Sequence, residues 1–219
     1  MKIYTLPVGF IQTNCCVVVN GENKAALIDP GAQPEKILRF LKEHNLTLTM
    51  ILLTHGHFDH IGGVDGILEK FEVPVYIHPL DKEMTENPSQ NASMSFGGPG
   101  ITCRTSRIYE EGDEISFGDV TFRVLHTPGH TQGCVCLVAK VCEPEEPQFQ
   151  GVMFTGDTIF AGSVGRTDLY GGNYSQIAAS AKRIAALPGN YRLLPGHGED
   201  TTLNYERESN LYLAAERDI

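Results

Sequence analysis

The stretch Met50-Ile51-Leu52-Leu53-Thr54-His55-Gly56-His57-Phe58-Asp59-His60 decides how this chain is read. Its first four residues, MILL, form a short continuous apolar run, the pattern of a strand buried on both faces. Three histidines and an aspartate then fall within the six residues from His55 to His60. Imidazole nitrogens and carboxylate oxygens are common ligands of divalent cations, and Gly56 lets the backbone turn tightly enough for alternate side chains to converge. A solvated turn has no use for such a set directly after a buried strand. The segment therefore reads as a strand that delivers a metal-binding loop.

That loop cannot hold two ions alone, because each needs three or four protein ligands. Partners stand elsewhere in the chain: Pro128-Gly129-His130-Thr131 in a turn between strands, Gly156-Asp157 after the apolar run VMFT (152–155), and Gly196-His197 after RLL (192–194). Each is weak alone, since Asp and His are common in Gly turns. With the first loop they make seven ligands, which suits two adjacent ions sharing one carboxylate. Three apolar strands thus end in loops that open on His or Asp, and if those ends lie together the loops converge on one site.

The rest of the chain alternates short strands with helices. VGFI (8–11), CCVVV (15–19) and AALID (25–29) are apolar runs, with Asn20-Gly21 marking a hairpin between the last two. Pro34 to His44 has helical spacing with Pro34 in its first turn, and Ile67, Leu68 and Phe71 mark another short helix before the strand VYI (75–77). Residues 85–106 have no period and read as a long loop, a candidate lid. VTFRVL (120–125), CVCLVA (134–139) and VMFT read as strands, with EPEEPQF (143–149) as a solvated turn. A helix over Tyr174 to Leu187, the strand YRLL (191–194) and a last helix from about Leu203 to Ala215 complete the chain. Many strands with interspersed helices predict an α/β arrangement of sheets carrying helices on their outer faces.

A length of 219 residues favours one domain, and 41% hydrophobic with 20% charged residues is the composition of a globular protein. No run reaches the roughly 18 apolar residues of a membrane span. The start, MKIYTLPVGF, is broken by Pro7 and Gly9 before a signal-peptide core can form, so the expected location is cytoplasmic with no membrane partner. Seventeen Lys and Arg against 27 Asp and Glu leave a net charge of -10, a field that disfavours nucleic acid. The six cysteines, at 15, 16, 103, 134, 136 and 142, form no CxxC motif and read as buried reduced thiols. His44, His78 and His126 are assigned no ligand role.

THGHFDH, PGHT, TGD and PGHG, in this order across nearly the whole chain, resemble the metallo-β-lactamase superfamily. The resemblance implies an αββα sandwich of two mixed sheets over residues 1–219, with a metal site at one edge of the facing sheets. It also implies that one ion takes His55, His57 and His130, that a second takes Asp59, His60 and His197, and that Asp157 bridges them. Asp29 in LIDPG would support the metal loop from behind. Asp157 points away from the true β-lactamases and toward the glyoxalase II-like branch. Glyoxalase II proper has a C-terminal helical domain that helps bind glutathione, whereas 22 residues follow His197 here. The short single-domain hydroxyacylglutathione hydrolase-like proteins are thus the nearer likeness. Gly165-Arg166-Thr167-Asp168 departs from the glyoxalase II substrate motif and also resembles the iron persulfide dioxygenases. Arg166 can clamp a substrate carboxylate through its planar fork or pair with Asp168 at the surface.

The function so implied is hydrolysis of a hydroxyacyl thioester such as S-lactoylglutathione. Two divalent ions, zinc with iron or manganese as alternatives, would lower the pKa of a bridging water to near 7. Asp59 would orient that nucleophile and take its proton. No serine nucleophile is required, so Ser163 reads as structural. A different reaction class uses one Fe(II), held by His55, His130 and Asp157, to activate oxygen on a persulfide. A phosphodiester hydrolase is disfavoured by the acidic balance, and a non-catalytic metal-binding protein would show degraded ligands at its second site. The oligomeric state is not indicated.

Overall fold

The computed structural model of the protein describes residues 1–95, 99–140 and 148–213. Its first sheet follows chain order: β1 (Lys2–Val8), β2 (Thr13–Val19), β3 (Lys24–Ile28), β4 (Thr47–Leu52), β5 (Val75–Ile77) and β6 (Arg107–Ile108). β1, β2 and β3 form an antiparallel meander, and β3 to β6 are parallel. Parallel neighbours need crossovers. α1 (Pro34–Glu43) makes the first, α2 (Phe58–Ile61) and α3 (Val64–Leu68) make the second, and α4 (Lys82–Glu86) lies on the third.

The chain then enters a second sheet through β7 (Glu114–Phe117), β8 (Val120–His126), β9 (Val135–Lys140) and β10 (Gly151–Gly156), an antiparallel run. A short ribbon of β11 (Ile159–Phe160) and β12 (Ser163–Val164) and the helix α5 (Tyr174–Ala185) lead to β13 (Tyr191–Pro195), which pairs parallel to β10. β14 (Thr201–Thr202) and α6 (Leu203–Ser209) follow, and the spatial order of this sheet is β14-β13-β10-β9-β8-β7.

The strand pleat explains the continuous apolar runs. On β2, Cys16 and Val18 face the second sheet while Cys15, Val17 and Val19 face the helices; on β4, Met50 and Leu52 point inward and Ile51 outward. The inner layer is closed by Phe122, Val124, Val135, Leu137, Val152 and Phe154 from the second sheet. Outside the first sheet, Ile37 and Leu41 of α1 and Val64 and Ile67 of α3 cover it; outside the second, Ala181 and Ile184 of α5 and Leu203 of α6 pack on Cys136, Met153 and Leu193. Strands buried on both faces carry no polar alternation, which is why MILL and VMFT read as solid apolar runs. The layers are helix, sheet, sheet, helix, as the αββα expectation states.

Several boundaries differ from the sequence reading. VGFI is not one unit: β1 ends at Val8, and Gly9, at φ 70°, starts the turn that carries Phe10 and Ile11. β1 itself escapes the sequence reading because it is an edge strand with a mixed, partly exposed pattern. α6 stops at Ser209, short of Ala215, because Asn210 leaves the helix to donate its side-chain amide to the Ser163 carbonyl at 3.0 Å. Ala214 and Ala215 lie outside the described residues, as do 143–147 of the expected solvated turn.

The 85–106 segment, also interrupted by residues outside the described set, is anchored at its start. The buried Asn91 amide donates to Met84 and Ile101 carbonyls at 2.9 and 2.8 Å, and the Asn91 carbonyl accepts from Phe58 N–H at 3.0 Å. The five described cysteines are free and buried, and burial pushes the Cys16 and Cys103 thiols up to about 12, the state of inert thiols. Cys142 is outside the described residues. Among the described residues, no helix is long and apolar enough to cross a membrane.

Candidate metal centre

The ends of β4, β8, β10 and β13 meet at one edge of the sandwich, and their loops bring all seven sequence-predicted ligands together. His55 and His57 precede α2, Asp59 and His60 lie on it, His130 sits between β8 and β9, Asp157 follows β10 and His197 follows β13. His55, His57 and His130 form one group whose ligand atoms lie within 4.8 Å of one another; Asp59, His60 and His197 form another, and His55, His60 and Asp157 a third. His57 Nδ1 stands 2.8 Å from His130 Nε2, and His197 Nε2 stands 3.1 Å from Asp59 Oδ2. Asp157 faces both sides, with Oδ1 at 3.4 Å from His60 Nε2 and Oδ2 at 3.4 Å from His130 Nε2.

The surroundings set the tautomers. Thr54 donates its hydroxyl to Asp29 Oδ2 at 2.6 Å, so the Thr54 oxygen, 3.1 Å from His55 Nδ1, accepts the imidazole proton there. The His55 Nε2 lone pair is then left for a ligand. His130 donates from Nδ1 to the Arg166 carbonyl at 2.8 Å, which frees its Nε2 in the same way. Asp29 also accepts from Thr54 N–H at 2.7 Å and lies 2.9 Å from His60 Nδ1, so the sequence-predicted supporting carboxylate touches both ends of the loop. It does so at φ 50°, a left-handed conformation that aspartate tolerates better than most residues.

His55 Nε2, His60 Nε2 and Asp157 Oδ1 are buried without a hydrogen-bond partner. Orphan buried donors and acceptors are costly, and a divalent cation satisfies this set at once. Burial, reinforced by the neighbouring imidazoles of His60 and His130, holds His55 well below the usual histidine range, and burial together with His130 drives His57 down to about 3. Both are therefore neutral, the form that binds metal. Burial raises the Asp59 carboxyl, yet His60 and His197 outweigh it and bring it down to about 2.

Residues that the sequence reading did not single out hold this arrangement. Thr13 donates to Asp59 Oδ2 at 3.0 Å, and the Asn14 amide donates to Pro195 and Gly198 carbonyls, on either side of His197, at 3.0 and 2.9 Å. Asp81, fully buried, accepts from Gly56 N–H at 3.0 Å, Thr131 hydroxyl at 2.6 Å and Gly133 N–H at 2.6 Å, tying the loop of His55 and His57 to that of His130. Burial pushes the Asp81 carboxyl up against these three bonds. Asp81→Asn would set an amide donor against one of the N–H groups, so denaturant unfolding should show a loss of about 2 kcal/mol and assays a fall in turnover of about tenfold or more. Two glycines are needed for close approach: a Cβ on Gly31 would lie 1.4 Å from the Asp59 carbonyl oxygen, and one on Gly196 would lie 2.3 Å from Asp157 Oδ1.

In front of the seven residues is a cavity of about 420 Å³, and Arg166 lines it. Its fork, however, is spent on Asp168, with Nε and Nη2 donating at 2.7 Å each, on an exposed pair. A substrate carboxylate would only exchange with Asp168. Arg166→Ala is therefore expected to change KM for a carboxylate-bearing substrate by less than about fivefold, a figure steady-state kinetics reads directly. Ser163 contributes its carbonyl to Asn210 and lies in the ribbon.

Residues 8–197 match the metallo-beta-lactamase superfamily. The chain is 34% identical to hydroxyacylglutathione hydrolase GloC of Haemophilus influenzae over 217 residues, 97% of this chain and 98% of that protein. Among solved structures it resembles the BLEG-1 B3 metallo-beta-lactamase, at a TM-score of 0.88 and 36% identity over 98% of this chain and 100% of that one. It also resembles TTHA1623 in a di-iron-bound form, at a TM-score of 0.80 and 40% identity over 96% and 100%. Fold, loop order and sequence agree, and the chain belongs to the metallo-beta-lactamase superfamily.

Proposed function

We propose that the protein is a binuclear metallohydrolase of acyl thioesters of the S-lactoylglutathione kind. His55, His57 and His130 would hold one ion, Asp59, His60 and His197 the second, and Asp157 both. The observation that carries this reading is the completeness of both donor groups, with Asp157 between them, Oδ1 beside His60 and Oδ2 beside both His130 and His197. Zinc suits imidazole and carboxylate donors, and iron or manganese would suit them too. When bound, the ions supply a water of lowered pKa and an electrophile for the carbonyl oxygen.

The chain does the rest. Thr13 donates to Asp59 Oδ2, the oxygen that also lies 3.1 Å from His197 Nε2, and so fixes the carboxylate that would take the proton of the attacking water. Asp29, Thr54 and the Arg166 carbonyl keep the ring protons of His55 and His130 on the far side, so the nitrogens facing the site stay unprotonated. A thiolate is a good leaving group, and no general acid is needed to expel it. The relative named hydroxyacylglutathione hydrolase supports this reaction class.

The test pairs metal analysis with assays on S-lactoylglutathione, a β-lactam and glutathione persulfide. Two metal equivalents per chain with thioester turnover are expected. A single iron, oxygen uptake on the persulfide and an untouched thioester would replace the proposal with the mononuclear reading of His55, His130 and Asp157. β-lactam turnover alone would move the substrate class.

A further inference from the structure

The cavity in front of the metal centre is walled by side chains the hydrolytic reading does not use. Phe10, Ile11, Phe58, Ala92, Phe160 and Leu169 line it, contributed by the β1–β2 turn, α2, the segment after α4, β11 and the loop beyond β12. Phe10 is 79% exposed and stacks on Phe58, with ring centroids 6.4 Å apart. Phe160 stands edge-on to His197 at 6.2 Å, so the apolar wall reaches the liganding residues themselves. Among the described residues that line the cavity, the one cationic side chain is Arg166, and its fork is engaged by Asp168.

An apolar wall rewards only hydrocarbon taken out of water. The cavity volume is ample, since roughly 150 Å³ accommodates a benzene ring and about 420 Å³ is open here. Phe10, exposed and stacked on Phe58 in the lining, is open to contact by an apolar group that enters the cavity. We propose that this wall binds an apolar group of the substrate adjoining the scissile carbonyl, an aliphatic chain of several carbons or a phenyl ring, with Phe10 and Phe160 as the specificity-determining residues. The inference rests on the thioester-hydrolase reading for its reaction, and on the wall alone for its selectivity. Acyl side and thiol side both lie one bond from the carbonyl carbon, so the shared chemistry is the apolar substituent, and the experiment separates its two sources.

In the first arm, kcat/KM of the metal-loaded protein is measured for N-acetylcysteamine thioesters of acetyl, 2-hydroxypropanoyl, butanoyl, hexanoyl and benzoyl groups. In the second, the acyl group is held as acetyl and the thiol runs through ethyl, butyl and hexyl. A rise of about fourfold per methylene is expected in one arm, and the arm that shows it names the side that contacts the wall. Phe160→Ala and Phe10→Ala should flatten that slope to below about twofold per methylene, while Phe10→Leu, which keeps apolar area, should retain it. Turnover with no slope in either arm would overturn the proposal. Should no thioester turn over, the hydrolase reading fails separately, and calorimetric binding of non-hydrolysable 2-oxoalkyl thioethers of the same chain lengths decides the wall. A Kd that falls about fourfold per methylene would sustain it, and an unchanging Kd would overturn it.

Discussion

Asp157→Ala is expected to lower kcat/KM by at least about 10³-fold, a loss of about 4 kcal/mol in transition-state stabilisation, and to leave fewer than two metal equivalents per chain. The reason is geometric. One carboxylate stands 3.4 Å from His60 on one oxygen and 3.4 Å from His130 on the other, with His197 at 3.7 Å, so both donor groups lose a member together. Removing a residue that belongs to one group only would spare the other. Metal stoichiometry by elemental analysis and steady-state kinetics on the same preparation check it, and two retained ions with undiminished turnover would end the shared-carboxylate assignment.

Stripping the metal with a chelator at neutral pH should lower Tm by about 10 °C, reversibly on adding zinc. The candidate ligands come from four loops far apart in the chain, so the unfolded chain cannot offer them together and metal binds the folded state alone. At a free metal concentration a thousand times Kd this contributes about 4 kcal/mol, and each kcal/mol moves Tm by about 2–4 °C in a chain of this size. Protons compete with metal for imidazole nitrogens, so the gap between loaded and stripped protein should close as the pH falls below the ordinary histidine range. Thermal scans at several pH values measure it, and a gap that widened in acid would argue against imidazole ligation.

The seven candidate ligands were legible from the chain because their signal is local. They sit at or just beyond strand ends, and for β4, β10 and β13 the strand buried on both faces writes itself as an apolar run whatever surrounds it. The same locality made the hairpin at Asn20-Gly21 readable, and α1 with its proline in the first turn. Edge elements were not legible in that way. β1 is exposed on part of its length and shows no clean period, and the end of α6 is set by Asn210 reaching back to Ser163.

What the sequence by itself determined is therefore the candidate donor set and its order, and, with the family resemblance it carries, the layered architecture that gathers strand ends at one edge. The tertiary structure alone decided what holds and what faces that set. Thr13 meets Asp59 across 46 residues, Gly133 meets Asp81 across 52, and Asn14 meets Pro195 across 181. It also decided that Arg166 spends its fork on Asp168, and that five separate segments present apolar side chains to one cavity. Such contacts depend on which surfaces the packed layers bring face to face, and residues joined only through space leave no spacing or periodicity along the chain from which to read them.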